Sequence, residues 1–396
     1  MTWERNAAMP VRPVEKGKRP RHRTVLTEIS LTGFKTIRRL EAFLPQSMNV
    51  LIGGNGAGKS NFISFFRLMQ WMLTPPGQLR QHVANNGGAS AFLHDGPGLT
   101  QEITADLNIQ TQGQIGEYSF RLFHAAEDTF RFAEEKLRYT RSVLPGQWQV
   151  LEPGVAEAGL NKRVEAGDDG ARIISSLIRA CVVYQFHNTS ATSRMKLKWG
   201  VDDGRYLKKD AANLAPFLLR LRDHEPVCYG RIVGAIRQVV PFFSDFVLEP
   251  VGNSVLLQWR EVGSDVVFSA YQGADGMLRF FAMTALLLQP TQDLPDILIL
   301  DEPELGLHPH ACELIGSLLK SVSRYRQVFL ATQSTLLVDQ FCPEDIVVVN
   351  RSGRESEFKR LDPGELKDWL GEFEGGRGYS LSELWEKNVL GGGPAA

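Results

Sequence analysis

Two patterns of hydrophobic residues alternate along this chain of 396 residues. Runs that are almost wholly apolar, such as "MNVLI" at 48–52 and "DILIL" at 296–300, predict strands buried on both faces. Segments with apolar residues at helical spacing lie between such runs and predict helices. Apolar strands that alternate with helices indicate an α/β protein whose parallel sheet is covered on both sides.

A different pattern, the alternation of apolar and polar residues, marks the first third of the chain. It predicts the strands of an antiparallel meander, at 25–34, 102–109, 117–125 and 130–141. Residues 152–170 are predicted to form a loop. Helices are predicted at 59–72, 171–186, 211–224, 229–240, 276–289 and 308–322. Further strands are predicted at 245–250, 254–262, 327–331 and 345–350.

Composition excludes several classes of protein. The chain has 44 Lys and Arg against 45 Asp and Glu, so the protein as a whole does not bind nucleic acid electrostatically. Its four cysteines form no CxxC pair, and we expect reduced thiols and no zinc site. We expect a cytoplasmic protein without a membrane segment, because no apolar stretch is long enough to cross a bilayer.

Residues Gly53–Ser60, "GGNGAGKS", match the phosphate-binding pattern G-x-x-x-x-G-K-[ST] between a predicted strand and a predicted helix. Bare glycine backbone lets successive N–H groups surround a phosphate chain, and the helix N-terminus adds its dipole. Lys59 is expected to reach the β- and γ-phosphates, and Ser60 to bind Mg²⁺. The residues predicted to bind nucleotide are Gly53, Gly54, Asn55, Gly56, Ala57, Gly58, Lys59, Ser60 and Asn61.

The second half of the predicted site is "ILILDEPELGLHPH", in which an apolar strand ends in Asp301 and Glu302. An acid at the tip of a buried strand is poorly explained by packing, so Asp301 is predicted to hold Mg²⁺ beside the P-loop. Glu302 is predicted to activate water for attack on the γ-phosphate. The guanine-reading motif of GTPases is missing from the sequence. The pair of motifs therefore predicts Mg²⁺-dependent ATP hydrolysis.

The arrangement resembles the ABC-type ATPase heads of RecF, the structural-maintenance-of-chromosomes proteins and the overcoming-lysogenization-defect proteins. More narrowly, it is similar to compact bacterial AAA family ATPases described as RecF-like. The stretches that carry the resemblance are "LTEISLTGFKTI", "NVLIGGNGAGKSNF", "NGGASAFLHDG", "YQFHNTSATSRMKL", "DGMLRFFAMTALLL", "LILDEPELGLHPH", "VFLATQSTLLVDQF" and "SLSELWEKNVLGG".

The resemblance implies a P-loop NTPase head with a mixed sheet flanked by helices and an inserted, mainly helical lobe. We expect a disordered basic tail at 1–23, a head formed by 24–132 and 247–351, a lobe at 133–246 and a C-terminal extension at 352–396. Heads of this kind bind ATP between two subunits, so the resemblance also implies a homodimer on ATP binding.

Two positions depart from the pattern of these heads. The signature that reaches the partner's ATP matches Ala274-Asp275-Gly276, in which Asp275 and Gly276 are the expected contacts. The alternative is a plain helix start capped by Asp275. Gln333 stands where many such ATPases have a histidine. It is predicted to sense the reaction through its amide and to give slow hydrolysis, since it cannot become cationic. The alternative is an ordinary polar loop residue.

Three further assignments stay open at this point. The Q-loop glutamine of such heads is not identified, and Gln78, Gln81 and His94 are its candidates. His308 and His310 are more typical of a loop and helix start than of a metal pair. The basic stretch with Trp199 and Tyr206 is typical either of a nucleic-acid surface or of solvated faces. Its cations are Arg194, Lys196, Lys198, Arg205, Lys208 and Lys209.

Three biological roles are consistent with the sequence. The first is a RecF-like factor in DNA repair that engages DNA. The second is a regulatory ATPase that controls a separate effector, such as a nuclease in phage defence, because no Asp-x-Asp metal pair follows the head. The third is a scaffold that binds ATP without hydrolysing it.

Overall fold

The structure is a computed structural model that describes residues 24–73, 77–111, 114–140, 146–370 and 378–392. The tail predicted at 1–23 lies outside these residues. Within the described part of the chain, no helix is both long and apolar enough to cross a membrane. The free thiols there are those of Cys181, Cys228, Cys312 and Cys342.

The described strands, in chain order, are β1 (Thr24–Phe34), β2 (Ile37–Phe43), β3 (Met48–Ile52), β4 (Glu102–Thr111), β5 (Gln114–Ala125), β6 (Thr129–Thr140), β7 (Gln149–Val150), β8 (Cys181–Tyr184), β9 (Trp199–Gly200), β10 (Phe243–Val247), β11 (Ser254–Val255), β12 (Gln258–Glu261), β13 (Val267–Ser269), β14 (Ile297–Asp301), β15 (Gln327–Ala331), β16 (Ile346–Ser352) and β17 (Glu355–Arg360).

The described α-helices are α1 (Lys59–Met72), α2 (Gln78–Asn85), α3 (Gly159–Glu165), α4 (Asp169–Ala180), α5 (Leu214–His224), α6 (Pro226–Val239), α7 (Asp275–Leu288), α8 (Pro309–Ser323), α9 (Thr335–Val338), α10 (Pro363–Leu370) and α11 (Leu381–Glu386).

One six-stranded sheet has the order β17-β16-β3-β15-β14-β8. Its strands pair in parallel from β16 to β8, and only the hairpin partner β17 runs antiparallel. Every residue of β3, β14 and β15 is buried, as the apolar runs predict. The mixed sheet flanked by helices is confirmed. Because β3 and β14 run in the same direction, the loops that follow them lie at the same edge.

A second six-stranded sheet is antiparallel throughout, with the order β2-β1-β4-β5-β6-β7. Helix α1 packs between the two sheets. The Phe62 and Phe66 rings of α1 lie 6.1 and 5.3 Å from Phe329 of the parallel sheet, while Phe65 stacks on Phe120 of the antiparallel sheet. Aromatic packing on both faces therefore fixes the helix that follows the P-loop.

A second hydrophobic core lies on the other face of the parallel sheet. It joins α5, α6 and α7 to the three-stranded sheet β10-β12-β13. Trp259 is at its centre, with Phe281 in edge-to-face contact at 5.8 Å. Helices α5 and α6 lie within the range 133–246 predicted for the lobe, and this core packs them against α7, the helix that begins at the predicted signature.

Two predictions of secondary structure are wrong. The helix predicted over 171–186 ends at Ala180, and β8 follows as a strand that pairs with β14. The β-branched pair Val182 and Val183 favours a strand where a parallel edge is available. The loop predicted over 152–170 contains α3 and the start of α4. Residues 133–246 thus include β8, a strand of the parallel sheet, as well as helices α3 to α6.

Candidate functional site

The P-loop joins β3 to α1 in a backbone conformation that two glycines make accessible. Gly53 has φ 154° and Gly58 has φ 117°. A Cβ at Gly53 would lie 2.2 Å from the Val349 carbonyl oxygen, and one at Gly58 would lie 2.0 Å from the Ser356 hydroxyl oxygen. Strands β16 and β17 therefore approach the loop so closely that a larger residue does not fit.

The remaining P-loop residues form a tight turn around this backbone. The Ala57 amide donates to the Gly54 carbonyl oxygen at 3.2 Å, and the Ser356 hydroxyl donates to the Ala57 carbonyl oxygen at 2.5 Å. Asn55 and Gly56 are exposed at the tip. On the first turn of α1, the Asn61 side chain is oriented by a hydrogen bond of 2.8 Å to the Thr36 hydroxyl.

The Lys59 ammonium is buried inside the turn. Its Nζ donates to the carbonyl oxygens of Gly53 at 2.5 Å and Gly54 at 3.1 Å, and the residue is only 4% exposed. Burial lowers the pKa of Lys59, while the nearby carboxylates Glu302, Asp301 and Glu304 act in the opposite direction. A buried cation whose hydrogen bonds within the described part of the chain go to loop carbonyls is well placed to bind an anion.

The structure brings Ser60 and Asp301 together from positions 241 residues apart in the chain. The Ser60 hydroxyl donates to Oδ1 of Asp301 at 3.1 Å, and Arg67 lies 3.9 Å from Oδ2. Burial raises the pKa of Asp301 despite these two partners. A hydroxyl and an under-compensated carboxylate side by side are hard oxygen donors of the type that Mg²⁺ prefers. The residues predicted to hold magnesium therefore fit it.

Glu302 and Gln333 are in contact. The Gln333 side-chain amide donates to Oε1 of Glu302 at 2.5 Å, and the Glu302 backbone N–H donates to the Ala331 carbonyl oxygen at 2.8 Å. Glu302 has φ 44°, in the left-handed region that few non-glycine residues adopt. This conformation turns its side chain away from the direction of Asp301 and towards the loop after β15.

Sequence reasoning missed Glu304, which joins the two loops of the site. Its Oε1 accepts from the Thr332 hydroxyl at 2.6 Å and from the Gln333 backbone N–H at 3.0 Å. Its Oε2 is buried and has no hydrogen-bond partner among the described residues. Burial raises the pKa of Glu304, and the Glu302 charge adds to the effect. The signal in the sequence was the third acid of "DEPE".

Sequence reasoning also missed Gln185, which directly follows β8. Its Oε1 accepts from Arg67 at 2.8 Å, and its Nε2 lies 3.0 Å from Nδ1 of His187. The other imidazole nitrogen of His187 lies 2.8 Å from the Asp301 carbonyl oxygen. Gln185 is thus linked to the Asp301 side chain through Arg67 and to the Asp301 carbonyl oxygen through His187. A glutamine after an apolar strand was the available signal, which the wrong helix prediction concealed.

The three candidates that the sequence offers for the Q-loop glutamine lie in other elements. Gln78 begins α2, and Gln81 donates to Asn85 on the same helix at 3.1 Å. His94 bonds the Lys35 carbonyl oxygen at 2.7 Å. Among the described residues, none of the three has a hydrogen bond to the P-loop or to the segment after β14.

The start of α7 lies against the loop that follows Glu304. Ala274 is the N-cap and Asp275 the first helical residue, so the alternative of a helix capped by Asp275 is wrong. A Cβ at Gly276 would lie 2.2 Å from the Gly306 carbonyl oxygen. Arg279 donates to the carbonyl oxygens of Leu305 at 2.7 Å and His187 at 3.0 Å. Asp275 itself is exposed.

The remaining candidates have local explanations. His308 is the N-cap of α8 and accepts from the His310 amide at 3.3 Å, and no group of metal-binding side chains occurs among the described residues. In the basic stretch, Arg194 pairs with Asp210 at 2.9 Å and Lys208 lies 3.8 Å from the centre of the Trp199 ring. Lys196 is buried, whereas Lys198, Arg205 and Tyr206 are exposed.

Comparison with known proteins gives one family and one fold. Residues 48–339 match the family described as "AAA domain, putative AbiEii toxin, Type IV TA system". The chain is similar to a structure of "the SmcHead bound to the C-winged helix domain of ScpA", with 16% identity, a TM-score of 0.52 and coverage of 86% of this chain and 99% of that one.

It is also similar to the Smc head domain with an extended coiled coil bound to the C-terminal domain of ScpA, from Pyrococcus furiosus. The identity is 13% and the TM-score 0.55, over 88% of this chain and 98% of that one. Among curated proteins, none matches this chain. At such low identity, these structures establish the fold.

Proposed function

The chain belongs to this family of AAA domains and is an ATP hydrolase with the fold of an Smc head, and from this premise we propose that two copies close around Mg²⁺ and ATP. The observation that carries the Mg²⁺–ATP site of this proposal is the 3.1 Å hydrogen bond between Ser60 and Asp301 at the mouth of the P-loop. It joins the phosphate-binding and acidic halves of one site.

In the proposed mechanism, the P-loop amides and Lys59 hold the phosphates. Lys59 exchanges its bonds to the Gly53 and Gly54 carbonyl oxygens for phosphate oxygens, which restores the compensation that a buried ammonium needs. Ser60 and Asp301 would hold Mg²⁺, which when bound neutralises charge on the phosphate oxygens.

Glu302 is the proposed general base. The Gln333 amide fixes one of its carboxylate oxygens at 2.5 Å, which leaves the other free to accept a proton from the attacking water. Gln333 stays neutral at every pH, so it orients Glu302 without adding positive charge for the transition state. We therefore expect slow turnover. Gln185, held by Arg67, is a further proposed contact of the nucleotide site.

Asp275 and Gly276 are the proposed contacts across a dimer. Asp275 is exposed at the start of α7, where the N-terminal amides of a 14-residue helix are available to a partner's phosphate. The Gly276 contact with Gly306 links this helix to the loop that contains Glu302 and Glu304. Closure of two heads would therefore act on the catalytic loop through backbone contacts.

Turnover and nucleotide binding test the enzymatic proposal. We expect wild-type protein to bind a fluorescent ATP analogue and release phosphate only with Mg²⁺, and Lys59→Ala to lose binding. Lys320→Ala on α8, a surface lysine outside the site, is the matched control and should bind as wild type does. Equal binding by Lys59→Ala and wild type would refute the phosphate role of Lys59. Binding with no turnover would favour the scaffold.

Light scattering tests the dimer. We expect Glu302→Gln with Mg²⁺ and ATP to double its mass, because the trapped nucleotide is not hydrolysed. Gly276→Val should remain monomeric, since a side chain there collides with the Gly306 carbonyl. A monomer at saturating ATP for Glu302→Gln contradicts the dimer.

A role in DNA repair is the first candidate biology. It is supported by the exposed Arg194 and Arg205, which lie 4.9 Å from the centre of the Trp199 ring and 5.2 Å from that of the Tyr206 ring, since cations near aromatic rings suit a nucleic-acid backbone. It predicts salt-sensitive binding to duplex DNA that ATP strengthens and Arg205→Ala weakens. Filter binding measures the effects of ATP and of Arg205→Ala on DNA binding. DNA retention at background level both with and without ATP contradicts this role.

Control of a separate effector is the second candidate. The family description, with its toxin and type IV toxin–antitoxin system, favours it. This role predicts a stable complex with another protein and little affinity for DNA. Purification of the native complex, followed by mass spectrometry, separates it from the first candidate.

A further inference from the structure

We propose that residues 378–392 form a C-terminal clasp that positions the P-loop from behind and ties it to the loop containing Gln333. The inference rests on the proposed function, because it assigns to this segment a positioning role in nucleotide binding. The clasp comprises α11 and the turn that ends at Gly392. The clasp lies outside the nucleotide site proposed above, and none of its residues touches the reacting atoms in the proposed mechanism.

One end of the clasp is attached to α9, the short helix that follows Gln333. Ser382 donates through its backbone N–H to Oδ1 of Asp339 at 2.8 Å and through its hydroxyl to Oδ2 at 2.6 Å. Asp339 is the C-cap of α9. Two hydrogen bonds to one carboxylate restrict both the distance and the orientation of the two helices.

The middle of the clasp is part of the core beneath the sheet. Leu384 is fully buried and Trp385 is 9% exposed, and both belong to the same hydrophobic cluster as Ile52 and Val348. Ile52 is the last residue before the P-loop. A buried cluster of this kind transmits displacement because protein interiors are close-packed.

The other end of the clasp lies against the first residue of the P-loop. The Gly392 amide donates to the side-chain oxygen of Asn350 on β16. A Cβ at Gly392 would lie 2.9 Å from Val348 Cγ1 and 3.3 Å from Gly53 Cα. Gly53 in turn approaches the Val349 carbonyl so closely that it has no room to retreat.

Gly392 and β16 therefore hold the first P-loop residue from two sides. Gly53 provides a carbonyl oxygen that binds Lys59, so a shift of its backbone changes where the ammonium lies. The N–H groups of the loop bind phosphate only when their orientation is fixed. The clasp thus acts on phosphate binding through the position of Gly53, and on Glu302 through α9 and Gln333.

Gly392→Ala tests the contact with the P-loop, and Gly263→Ala is its matched control. Both glycines have left-handed backbones, φ 74° and 77°, so alanine is strained equally at both positions. A Cβ at Gly263, however, meets no atom within 4 Å. Any effect beyond that of the control measures the contact of Gly392 with Val348 and Gly53.

The first readout, hydrogen exchange, does not depend on ATP. The amides of Ala57 and Phe62 donate to the Gly54 and Gly58 carbonyl oxygens, and mass spectrometry follows them in a peptide spanning 53–62. We expect Gly392→Ala to speed exchange in this peptide by about tenfold and Gly263→Ala to leave it unchanged. Equal exchange in the two variants, at matched thermal stability, overturns the clasp.

The second readout is the affinity for ATP. We expect Gly392→Ala to weaken binding of a fluorescent ATP analogue by about tenfold, mainly as a higher KM, because ground-state phosphate contacts are lost. If wild type binds no ATP, the proposed function fails, while the exchange experiment still decides whether the clasp holds the P-loop. Unchanged affinity together with faster exchange contradicts the positioning role.

Asp339 variants test the other end. Asp339→Ala removes both bonds to Ser382, whereas Asp339→Asn keeps both, since the serine hydroxyl can also accept from an amide. We expect Asp339→Ala to lower kcat about fivefold with little change in KM, because α9 follows Gln333. Asp339→Asn should have the kcat of wild type. Equal kcat for the two variants refutes the link to α9.

Discussion

Two glutamates in this protein, one fully buried and one partly buried, differ in how many of their carboxylate oxygens have hydrogen-bond partners. Glu135, in the antiparallel sheet, is fully buried and accepts from the Tyr118 hydroxyl at 2.7 Å and from the Gly159 and Leu160 amides at 2.7 and 3.3 Å. Glu304, at the site, uses only Oε1, and its buried Oε2 has no partner among the described residues. Burial raises the pKa of both.

The difference separates a carboxylate that builds the fold from one that belongs to a site. Glu135 attaches α3 to the sheet, and its three donors offset much of its desolvation. Glu304 and Asp301 remain under-compensated, and groups of this kind concentrate where a ligand completes them. The same substitution of glutamine for glutamate is therefore expected to change turnover at one position and stability at another.

The largest effect is expected for Glu302→Gln. The amide cannot accept a proton, so turnover should fall by about 10²- to 10⁴-fold, the usual contribution of a general base. Thermal unfolding should be unchanged, because the amide oxygen can still accept from Gln333. Phosphate release measures the first quantity and calorimetry the second. Turnover within threefold of wild type would show that Glu302 is not the base.

Glu135→Gln should have the next largest effect, on stability alone. Whichever way the amide is oriented, its NH₂ group faces at least one backbone N–H of Gly159 or Leu160, so a buried donor loses its acceptor. The cost is about 1–3 kcal/mol of the free energy of unfolding. Denaturant titration measures it, and ATP turnover of the folded variant should match wild type. A neutral substitution would contradict the contribution of these hydrogen bonds to stability.

Glu304→Gln should change the free energy of unfolding in the direction opposite to Glu135→Gln. The amide oxygen keeps both bonds, to Thr332 and Gln333, and the NH₂ group replaces the oxygen that has no partner. We expect equal or higher thermal stability, since a buried charge is removed. Turnover should fall only about threefold, whereas Glu304→Ala should lower it about tenfold by releasing Gln333. A large loss of stability in Glu304→Gln contradicts the comparison.

The smallest effect is a dependence on pH. Because burial raises the pKa of Glu304 above 4.5, the native protein holds this proton more tightly than the unfolded chain. Its contribution to stability is therefore greatest below pH 4.5 and is lost as pH rises through the native pKa. The melting temperature of Glu304→Gln minus that of wild type should grow from about pH 4.5 to 7.5 in metal-free buffer. A difference in melting temperature that shrinks over this range would mean that folding lowers the pKa of Glu304.

Much of the fold was predictable because its signals are local. The apolar runs of β3, β14 and β15 and the glycines of the P-loop each identify an element without reference to the rest of the chain. Strand β8 was not predictable in this way. Residues 171–186 have helical spacing in their first part, and the strand forms because the edge of β14 is available to pair with it.

The candidate site divides in the same manner. Lys59, Ser60, Asp301 and Glu302 follow from motifs, since their chemistry depends on short fixed spacings. Gln185 and the clasp at 378–392 depend on contacts over long sequence separation, such as that between Gly392 and Gly53. Such contacts leave no periodic pattern in the sequence, because the two residues meet only in the folded chain.

By itself, the sequence determined a phosphate-binding turn, an acidic strand tip and a sheet to hold them, since backbone conformation and hydrophobic periodicity are set within a few residues. Only the tertiary structure decided which buried carboxylates find enough donors and which do not. That outcome depends on the parallel sheet, which brings the loops after β3, β14 and β15 to one edge. Satisfaction of a buried charge is a property of its surroundings, and these exist only once the chain has folded.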